Sequence, residues 1–174
     1  MADDLDALRI VTATPDDAER VTLVRNTAAD DLTRRFGPGH WSGTIGAHGV
    51  RRGIDASRVL LAVEGQLVVG TLRLATRKPW AIDTRYFEPS DRPLYLVDMA
   101  VLPERQGRGI GRLLVDAAVT TAAGWKADAI RLDAYDHAAG AGVFYEKCGF
   151  TEVGRASYRE VPLIYYQMLL RGPS

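Results

Sequence analysis

The feature of the sequence that most constrains the fold is a run of three glycines at alternate positions, Gly107, Gly109 and Gly111. They follow an apolar run, residues 94–101, and precede apolar residues with helical spacing. Glycine permits backbone turns that other residues resist, and it lets a ligand approach the amides closely. The first turn of a helix also has N–H groups without partners and a partial positive charge. We therefore predict a strand-to-helix turn that binds an anion.

The residues around the glycines indicate which kind of anion would bind there. Arg105, Arg108 and Arg112 flank them, which favours phosphate. The chain contains no P-loop string G-x-x-x-x-G-K-[S/T]. The dinucleotide pattern G-x-G-x-x-G also fails, because Arg112 or Leu114 stands where its last glycine belongs. A plain turn without a ligand is the alternative.

The same letters, Gln106-x-x-Gly109-x-Gly111, resemble the Q/R-x-x-G-x-G/A signature of the GNAT acetyltransferase superfamily. A second segment, residues 144–150 with the letters FYEKCGF, resembles the late YEKxGF segment of that family. The residues between the two motifs indicate a helix, a strand and a second helix, the order that the family requires. Both motifs together make the chain similar to a GNAT N-acetyltransferase, with the resemblance in letters confined to residues 94–150.

The resemblance implies an α/β fold of the GNAT type. The predicted element order is β-α-(α)-β-β-β-α-β-α-β-β. The family fold is a single mixed central sheet of about six to seven strands flanked by about four helices, with the fourth and fifth strands splayed apart. The length of 174 residues favours one domain over residues 1–174, with residues 1–6 as a flexible tail. Gly124 is expected just past the end of the third helix.

Acetyl-coenzyme A is the co-substrate that the resemblance implies. In the family, amides of the glycine segment hold its pyrophosphate, and amides of the central strand bond its pantetheine arm and the acetyl oxygen. The family often has an asparagine seven residues before its tyrosine, where this chain has Ala138, which puts one contact with the arm in doubt. The matching cofactor-binding positions here are Met99, Ala100 and Val101 for the arm and carbonyl, and Gln106, Gly107, Arg108, Gly109, Ile110, Gly111 and Arg112 for the pyrophosphate.

Acetyl transfer to an amine also requires a proton acceptor and a proton donor. A lysine-like amine, with a pKa of about 10.4, is almost wholly protonated at neutral pH, so a base is needed. We predict Asp98 as that base, because its apolar neighbours would desolvate the carboxylate; a structural hydrogen bond is its alternative role. Asp133, Asp136 and His137 are the other candidates for the base. Tyr145 matches the family's tyrosine, which implies that it protonates the leaving thiolate, with packing alone as the alternative.

The sequence favours a small-molecule amine as acceptor without identifying it. Trp41 and Trp80 are candidate acceptor contacts, and packing under a loop is an equal alternative for Trp41. Residues 79–93 lack an apolar period, and we expect this long loop to overhang the acceptor site. Its acidic side chains would suit a cationic acceptor, or they are simply solvated. The room near Gly70 and Met99 would decide whether larger acyl groups fit.

Charge and composition argue against other classes of protein. The 22 basic and 22 acidic residues give a formal net charge of zero, which argues against a nucleic-acid partner. No apolar run approaches the roughly 20 residues of a membrane span, and the acidic N-terminus lacks a signal core. A cytoplasmic protein with no membrane partner is therefore expected. The one cysteine, Cys148, is expected in the core, and no metal is implied.

The predicted function is an N-acetyltransferase that transfers an acetyl group directly from acetyl-coenzyme A to a primary amine in a ternary complex. A non-catalytic acyl-coenzyme A sensor and an acyltransferase for a larger acyl group are the alternatives, and the presence of Tyr145 and Asp98 favours the acetyltransferase over the sensor. A homodimer is a further expectation, in which the last strands, with Tyr158, Tyr165 and Tyr166, pair with a partner.

Overall fold

The structure is a computed structural model that describes residues 7–170, so the tail predicted for residues 1–6 lies outside the described residues. Within that range there are seven strands and four α-helices. The strands are β1 (Leu8–Thr12), β2 (Arg58–Glu64), β3 (Leu67–Ala75), β4 (Pro93–Val101), β5 (Ala129–Tyr135), β6 (Thr151–Tyr158) and β7 (Val161–Leu169). The helices are α1 (Ala18–Phe36), α2 (Ala47–Ala56), α3 (Ile110–Gly124) and α4 (Gly142–Lys147).

The strands form one mixed sheet in the order β1-β2-β3-β4-β5-β7-β6. β4 and β5 run parallel, whereas β2 is antiparallel to β1 and β3, and β7 is antiparallel to β5 and β6. The prediction of an α/β fold with a mixed sheet and four helices is confirmed. The described residues divide into two compact units, one up to Leu74 with Asp98–Ala118, the other Ala75–Val97 with the residues from Val119 on. A single domain over residues 1–174 stays a prediction.

One predicted helix end was wrong. Gly124 is the last residue of α3 rather than the residue beyond it. Lys126 instead takes the left-handed conformation, with φ 56°. The Lys126 amide donates to the Ala123 carbonyl over 3.0 Å, and the Ala127 amide donates to the Ala122 carbonyl over 3.0 Å, so these bonds satisfy carbonyls that the helix end leaves without partners.

In the first unit, Gly70 on β3 lies close against α3. β2 and β3 shift register beside it, with a bulge at Ala62. A Cβ at Gly70 would lie 3.0 Å from the Leu114 Cδ1 atom and 3.2 Å from the Ile110 Cγ2 atom. The space beside Gly70 is therefore occupied by two side chains of α3.

In the second unit, the loop formed by residues 79–93 is packed against the sheet. Its buried side chains Ile82 and Phe87 join Tyr95, Leu163 and Tyr165 in one apolar cluster. The Tyr165 hydroxyl donates a hydrogen bond of 2.5 Å to the carbonyl oxygen of Ala81, so it ties the loop to β7. Trp80 within this loop is 80% exposed.

Two buried polar side chains hold the same loop at Glu88. The Arg131 guanidinium donates to the Glu88 carbonyl over 2.7 Å and lies 5.1 Å above the ring of Phe87. Gln167 accepts from the Glu88 amide over 2.9 Å and donates to the Glu88 carbonyl over 3.2 Å. Losing one partner would leave a buried polar group unsatisfied, which is costly, so these bonds fix the loop's backbone.

The buried positions of three residues bear on earlier expectations. Tyr165 and Tyr166 are only 2% and 1% exposed, so these side chains pack inside the protein, while β6, which carries Tyr158, lies at one edge of the sheet. A homodimer through the last strands stays a prediction. Cys148 is buried and not in a disulfide, which confirms its place in the core.

None of the helices within residues 7–170 has both the length and the apolar character needed to cross a membrane.

Candidate functional site

The glycine segment joins β4 to α3, as the sequence predicts. Gly107 and Gly109 have φ of 76° and 82°, and no atom lies within 4 Å of the position that a Cβ would take at either residue. The Gly109 carbonyl accepts from the Leu113 amide over 3.1 Å, which begins the helical bonding. The Gln106 side chain donates to the Val101 carbonyl over 3.1 Å and closes the loop. The result is an open backbone at the start of a long helix, where an anion is favoured.

The three arginines that flank the glycines have different surroundings. Arg105 donates over 2.8 Å to the Glu64 carboxylate on β2, so it is committed to an ion pair. Arg112 lies 3.5 Å from the Asp116 carboxylate one turn along α3. Arg108 is exposed and has no ion-pair partner within residues 7–170. Arg108 is therefore the cation best placed to meet an added anion.

β4 departs from a regular strand at Asp98. Its first residues pair with β5, from Pro93 with Ala129 to Tyr95 with Arg131. Residues 94–96 are buried and residues 97–101 are half-buried. Asp98 has φ 55°, in the left-handed region that few residues other than glycine enter. The regular alternation of side chains between the two faces of a strand therefore breaks at Asp98.

Two guanidinium groups hold the Asp98 carboxylate. Arg25 of α1 donates to it over 3.1 Å and Arg73 of β3 donates over 2.9 Å. The Asp98 side chain is 31% exposed. The expected surroundings of apolar side chains were therefore wrong, because the carboxylate is ion-paired and partly open to solvent. The role of Asp98 as a base stays a prediction.

Tyr145 lies in the second unit, on the short helix α4. It is 7% exposed, and its ring centroid lies 5.3 Å from that of Phe144, 5.8 Å from that of Phe150 and 6.3 Å from that of Tyr166. Burial, with the nearby Asp133 charge, raises the pKa of the Tyr145 hydroxyl. The hydroxyl therefore stays protonated at neutral pH, which is the state that a proton donor requires.

The place of α4 is set by contacts with β7. The helix has only 6 residues, too few to be stable alone. A Cβ at Gly142 would lie 2.5 Å from the Tyr166 hydroxyl, so only glycine permits this approach. The same hydroxyl donates to the Glu146 carboxylate over 3.2 Å. Tyr166 thus contacts both ends of the helix that carries Tyr145.

We expect the protein to lose stability at alkaline pH. Burial, followed by the hydrogen bond to Glu146, raises the pKa of Tyr166 from 10.0 to about 12. Between these values the unfolded chain releases a proton that the native chain retains, so the free energy of unfolding decreases as pH rises. Urea titrations at pH 8 and pH 11 measure this decrease. It should be smaller in Tyr166→Phe; an identical decrease in both proteins would contradict the expectation.

The other candidates for the base form local contacts in the second unit. Arg155 donates to the Asp136 carboxylate over 3.3 Å. The His137 Nδ1 atom accepts from the Ala139 amide over 3.0 Å, so this nitrogen is occupied within its own turn. Gly140 is required in that turn, since a Cβ there would lie 2.0 Å from the Tyr135 carbonyl oxygen. Asp133, the remaining candidate, is half-buried on β5.

The two tryptophans occupy contrasting positions. The Trp41 indole donates to the Gly37 carbonyl over 3.0 Å, and its ring lies where a Cβ of Gly39 would be. This arrangement agrees with the packing alternative for Trp41. Trp80 presents most of its surface to solvent. An acceptor contact stays a prediction for both, and in residues 7–170 no cluster of His, Cys, Asp and Glu could hold a metal ion.

The sequence reasoning missed the arginines that organise these sites. Arg73 is the one charged residue within β3, and Arg131 stands among apolar residues in β5. A charge inside an apolar strand requires a partner when it is buried. That signal could have indicated that Arg73 and Asp98, each alone in an apolar strand, have charged partners, without identifying which.

Comparison with known proteins places this arrangement in a family. A family model described as an acetyltransferase (GNAT) domain matches residues 55–152, more than half of the chain. That range contains β4, the glycine segment, α3 and α4. No curated protein matches the chain.

Solved structures resemble the whole chain at low identity. Protein yncA of Salmonella typhimurium, solved with its cofactor acetyl-CoA, is 20% identical, with 97% of this chain and 96% of that chain covered and a TM-score of 0.71. The ribosomal-protein-S18-alanine N-acetyltransferase of Escherichia coli is 12% identical, with 97% of each chain covered and a TM-score of 0.73. The ribosomal-protein-alanine N-acetyltransferase of Brucella melitensis is 21% identical, with 93% and 99% covered and a TM-score of 0.69. These similarities show the fold.

Proposed function

The chain belongs to the GNAT acetyltransferase family, and from that premise we propose that it transfers an acetyl group from acetyl-coenzyme A to a primary amine of a small molecule. The observation that carries this proposal is the open backbone of Gly107 and Gly109 at the start of α3. A diphosphate is the ligand that such a segment suits best, because helix N–H groups and open glycine amides favour a compact anion. The amine attacks directly, in a ternary complex.

The residues present fit the co-substrate. Gln106, Gly107, Arg108, Gly109, Ile110, Gly111 and Arg112 would hold the diphosphate, mainly through backbone amides, with Arg108 supplying an unpaired charge. Met99, Ala100 and Val101, in the half-buried end of β4, would bond the pantetheine arm and the acetyl oxygen. Backbone donors directed at a carbonyl stabilise the charge that develops on its oxygen during acyl transfer. Acetyl-coenzyme A bound in the Salmonella protein supports the choice of ligand.

Proton transfers complete the proposed reaction. Asp98 removes a proton from the ammonium form of the acceptor, directly or through water, because the neutral amine is the nucleophile. The new C–N bond forms as the C–S bond of the thioester breaks. Tyr145 then gives its proton to the departing thiolate, which the raised pKa of this tyrosine keeps available at neutral pH. The nitrogen of the adduct loses its second proton as the amide forms, and this proton, carried through water, restores the Tyr145 hydroxyl. The predicted small-molecule acceptor, the direct transfer and these two roles form one proposal.

A screen of primary amines with acetyl-coenzyme A tests the proposal. Release of the free thiol, measured with a thiol reagent, together with mass spectrometry of an N-acetylated product, is the expected result. Calorimetry with acetyl-coenzyme A alone provides the control for binding. Tight binding without thiol release from any amine would favour the sensor, and no binding would reject the proposal as a whole.

The pH dependence of Asp98→Asn tests the role of the base. We expect kcat/KM at pH 7 to decrease by about 100-fold or more, the effect of losing a general base. The deficit should shrink as pH approaches the pKa of the amine, about 10, where the amine is neutral without help. Asp136→Asn, which removes another candidate carboxylate, should retain the wild-type profile. A deficit of Asp98→Asn that is equal at every pH would assign Asp98 a structural role instead.

A further inference from the structure

We propose that Arg25 and Arg73, held together by Asp98, bind an oxyanion of the acceptor, so that the acceptor is an amine that also carries a carboxylate, as an amino acid does. This inference rests on the proposed function and specifies its substrate class. Its starting point is a cluster of charged side chains from three elements of the first unit: α1, β3 and β4.

The cluster has hydrogen-bond donors to spare. Within residues 7–170, the Arg25 guanidinium donates to no acceptor besides Asp98. Arg73 uses its Nε atom for Asp98 and makes one long bond of 3.4 Å from Nη1 to the Ser57 hydroxyl. Each guanidinium has five N–H donors in a planar fork that suits carboxylates. Several donors of both arginines are therefore available to a second oxyanion.

The charge of the cluster suits a ligand with a single negative charge. Two guanidinium groups and one carboxylate leave one positive charge uncompensated. The side chains of Arg25, Arg73 and Asp98 are 23%, 30% and 31% exposed, so a small ligand can reach them and is partly desolvated there. A carboxylate neutralises this excess, whereas a diphosphate would overcompensate it. Asp98 keeps both arginines in place before the ligand arrives, which reduces the entropy lost on binding.

The backbone at Asp98 argues against a merely structural ion pair. Partly exposed salt bridges contribute little to stability, typically up to about 1 kcal/mol. Aspartate enters the left-handed region more readily than most residues, yet this conformation costs Asp98 more than it would cost glycine, and such conformations concentrate at functional sites. A glycine at this position would avoid the cost and lose both ion pairs. The strain is therefore explained if the pairing itself serves binding.

The position along β4 places this cluster beside the proposed acetyl-binding backbone. Asp98 directly precedes Met99, Ala100 and Val101, the residues proposed to bond the pantetheine arm and the acetyl oxygen. The carboxylate and the amine of an amino acid are close together, so an acceptor held by Arg25 and Arg73 would keep its amine near this part of β4. A phosphate of coenzyme A is the other possible source of the oxyanion.

Matched pairs of acceptors test the inference. The standard L-amino acids and their carboxamides are assayed for thiol release with acetyl-coenzyme A, and kcat/KM is compared within each pair. We expect the best amino acid to exceed its carboxamide by about 10-fold or more, the gain from a charge-assisted bond. In Arg25→Gln this ratio should decrease by about 10-fold. Comparing the ratio between proteins cancels the different amine pKa values of acid and amide.

Two controls make the outcomes distinguishable. Arg34→Gln removes the same charge from α1 at an exposed residue paired with Asp31, and it should retain the wild-type ratio. Arg73→Lys serves as a second variant if Arg25→Gln does not fold, and it should also lower the ratio. An unchanged acid-to-carboxamide ratio of kcat/KM in both variants overturns the inference. If acetyl-coenzyme A binding is weakened while that ratio stays intact, the oxyanion belongs to the coenzyme and the inference is also overturned. If thiol is released only with amines that lack a carboxylate, this inference alone is overturned. If no amine gives thiol release, the proposed function is overturned as well.

Discussion

Tyr145→Phe should lower kcat by about 10- to 1000-fold, within the range that general acid catalysis supplies. The substitution removes one hydroxyl and keeps the ring, whose contacts with Phe150 and Tyr166 hold α4 in place. Because Tyr145 is proposed to act on the leaving thiolate, the dissociation constant of acetyl-coenzyme A should change little. Single-turnover kinetics of thiol release and calorimetry measure the two quantities separately.

A control variant separates loss of the proton donor from a general effect on packing. Tyr158→Phe removes a hydroxyl from a half-buried tyrosine on β6 of the same unit, and it should leave kcat near the wild-type value. A thiol ester with a more acidic leaving group needs less protonation, so such a substrate should reduce the deficit of Tyr145→Phe. Wild-type turnover in Tyr145→Phe would remove the assignment of Tyr145 as the proton donor.

Gly109→Ala should weaken acetyl-coenzyme A binding by about 10-fold or more. Gly109 has φ 82°, and a residue with a Cβ in the left-handed region costs roughly 1–2 kcal/mol. The added methyl group would also project into the open space that the diphosphate is proposed to occupy. Calorimetry well below the melting temperature of the variant measures the dissociation constant without interference from unfolding.

Gly43→Ala is the matched control for Gly109→Ala. Gly43 has φ −63°, which alanine adopts without strain, and a Cβ there would meet no atom within 4 Å. Its dissociation constant for acetyl-coenzyme A should equal that of the wild type. Equal affinities in Gly109→Ala and the wild type would show that the diphosphate does not contact this segment.

The fold was largely predictable because local patterns agree with one another. The apolar runs of residues 58–64, 67–75 and 129–135 coincide with β2, β3 and β5. The turn between β2 and β3 and the positive φ of Gly149 after α4 follow from residues suited to those conformations. The end of α3 was missed because Lys126, rather than Gly124, takes the left-handed conformation, a choice that tertiary contacts impose on an unfavourable residue.

The site was predictable in its backbone and less so in its side chains. The glycine segment can be recognised from its composition, since few other residues tolerate φ of 76° and 82°. The partners of Asp98 come from Arg25 and Arg73, which are far apart in the chain, and no periodicity reports that they meet. Sequence reasoning therefore assigned Asp98 an apolar environment, whereas long-range pairing gives it a charged one.

The attachment of residues 79–93 bears on any attempt to exchange this loop with that of a relative. The segment depends on Arg131 and Gln167, which lie on other strands and bond its backbone at Glu88. Tyr86 also fills the space above Gly154, where a Cβ would lie 2.3 Å from its ring. A transplanted loop would thus need its own anchoring residues transferred with it. Chimaeras in which the loop is exchanged without these anchoring residues should misfold locally, so their selectivity could not be interpreted.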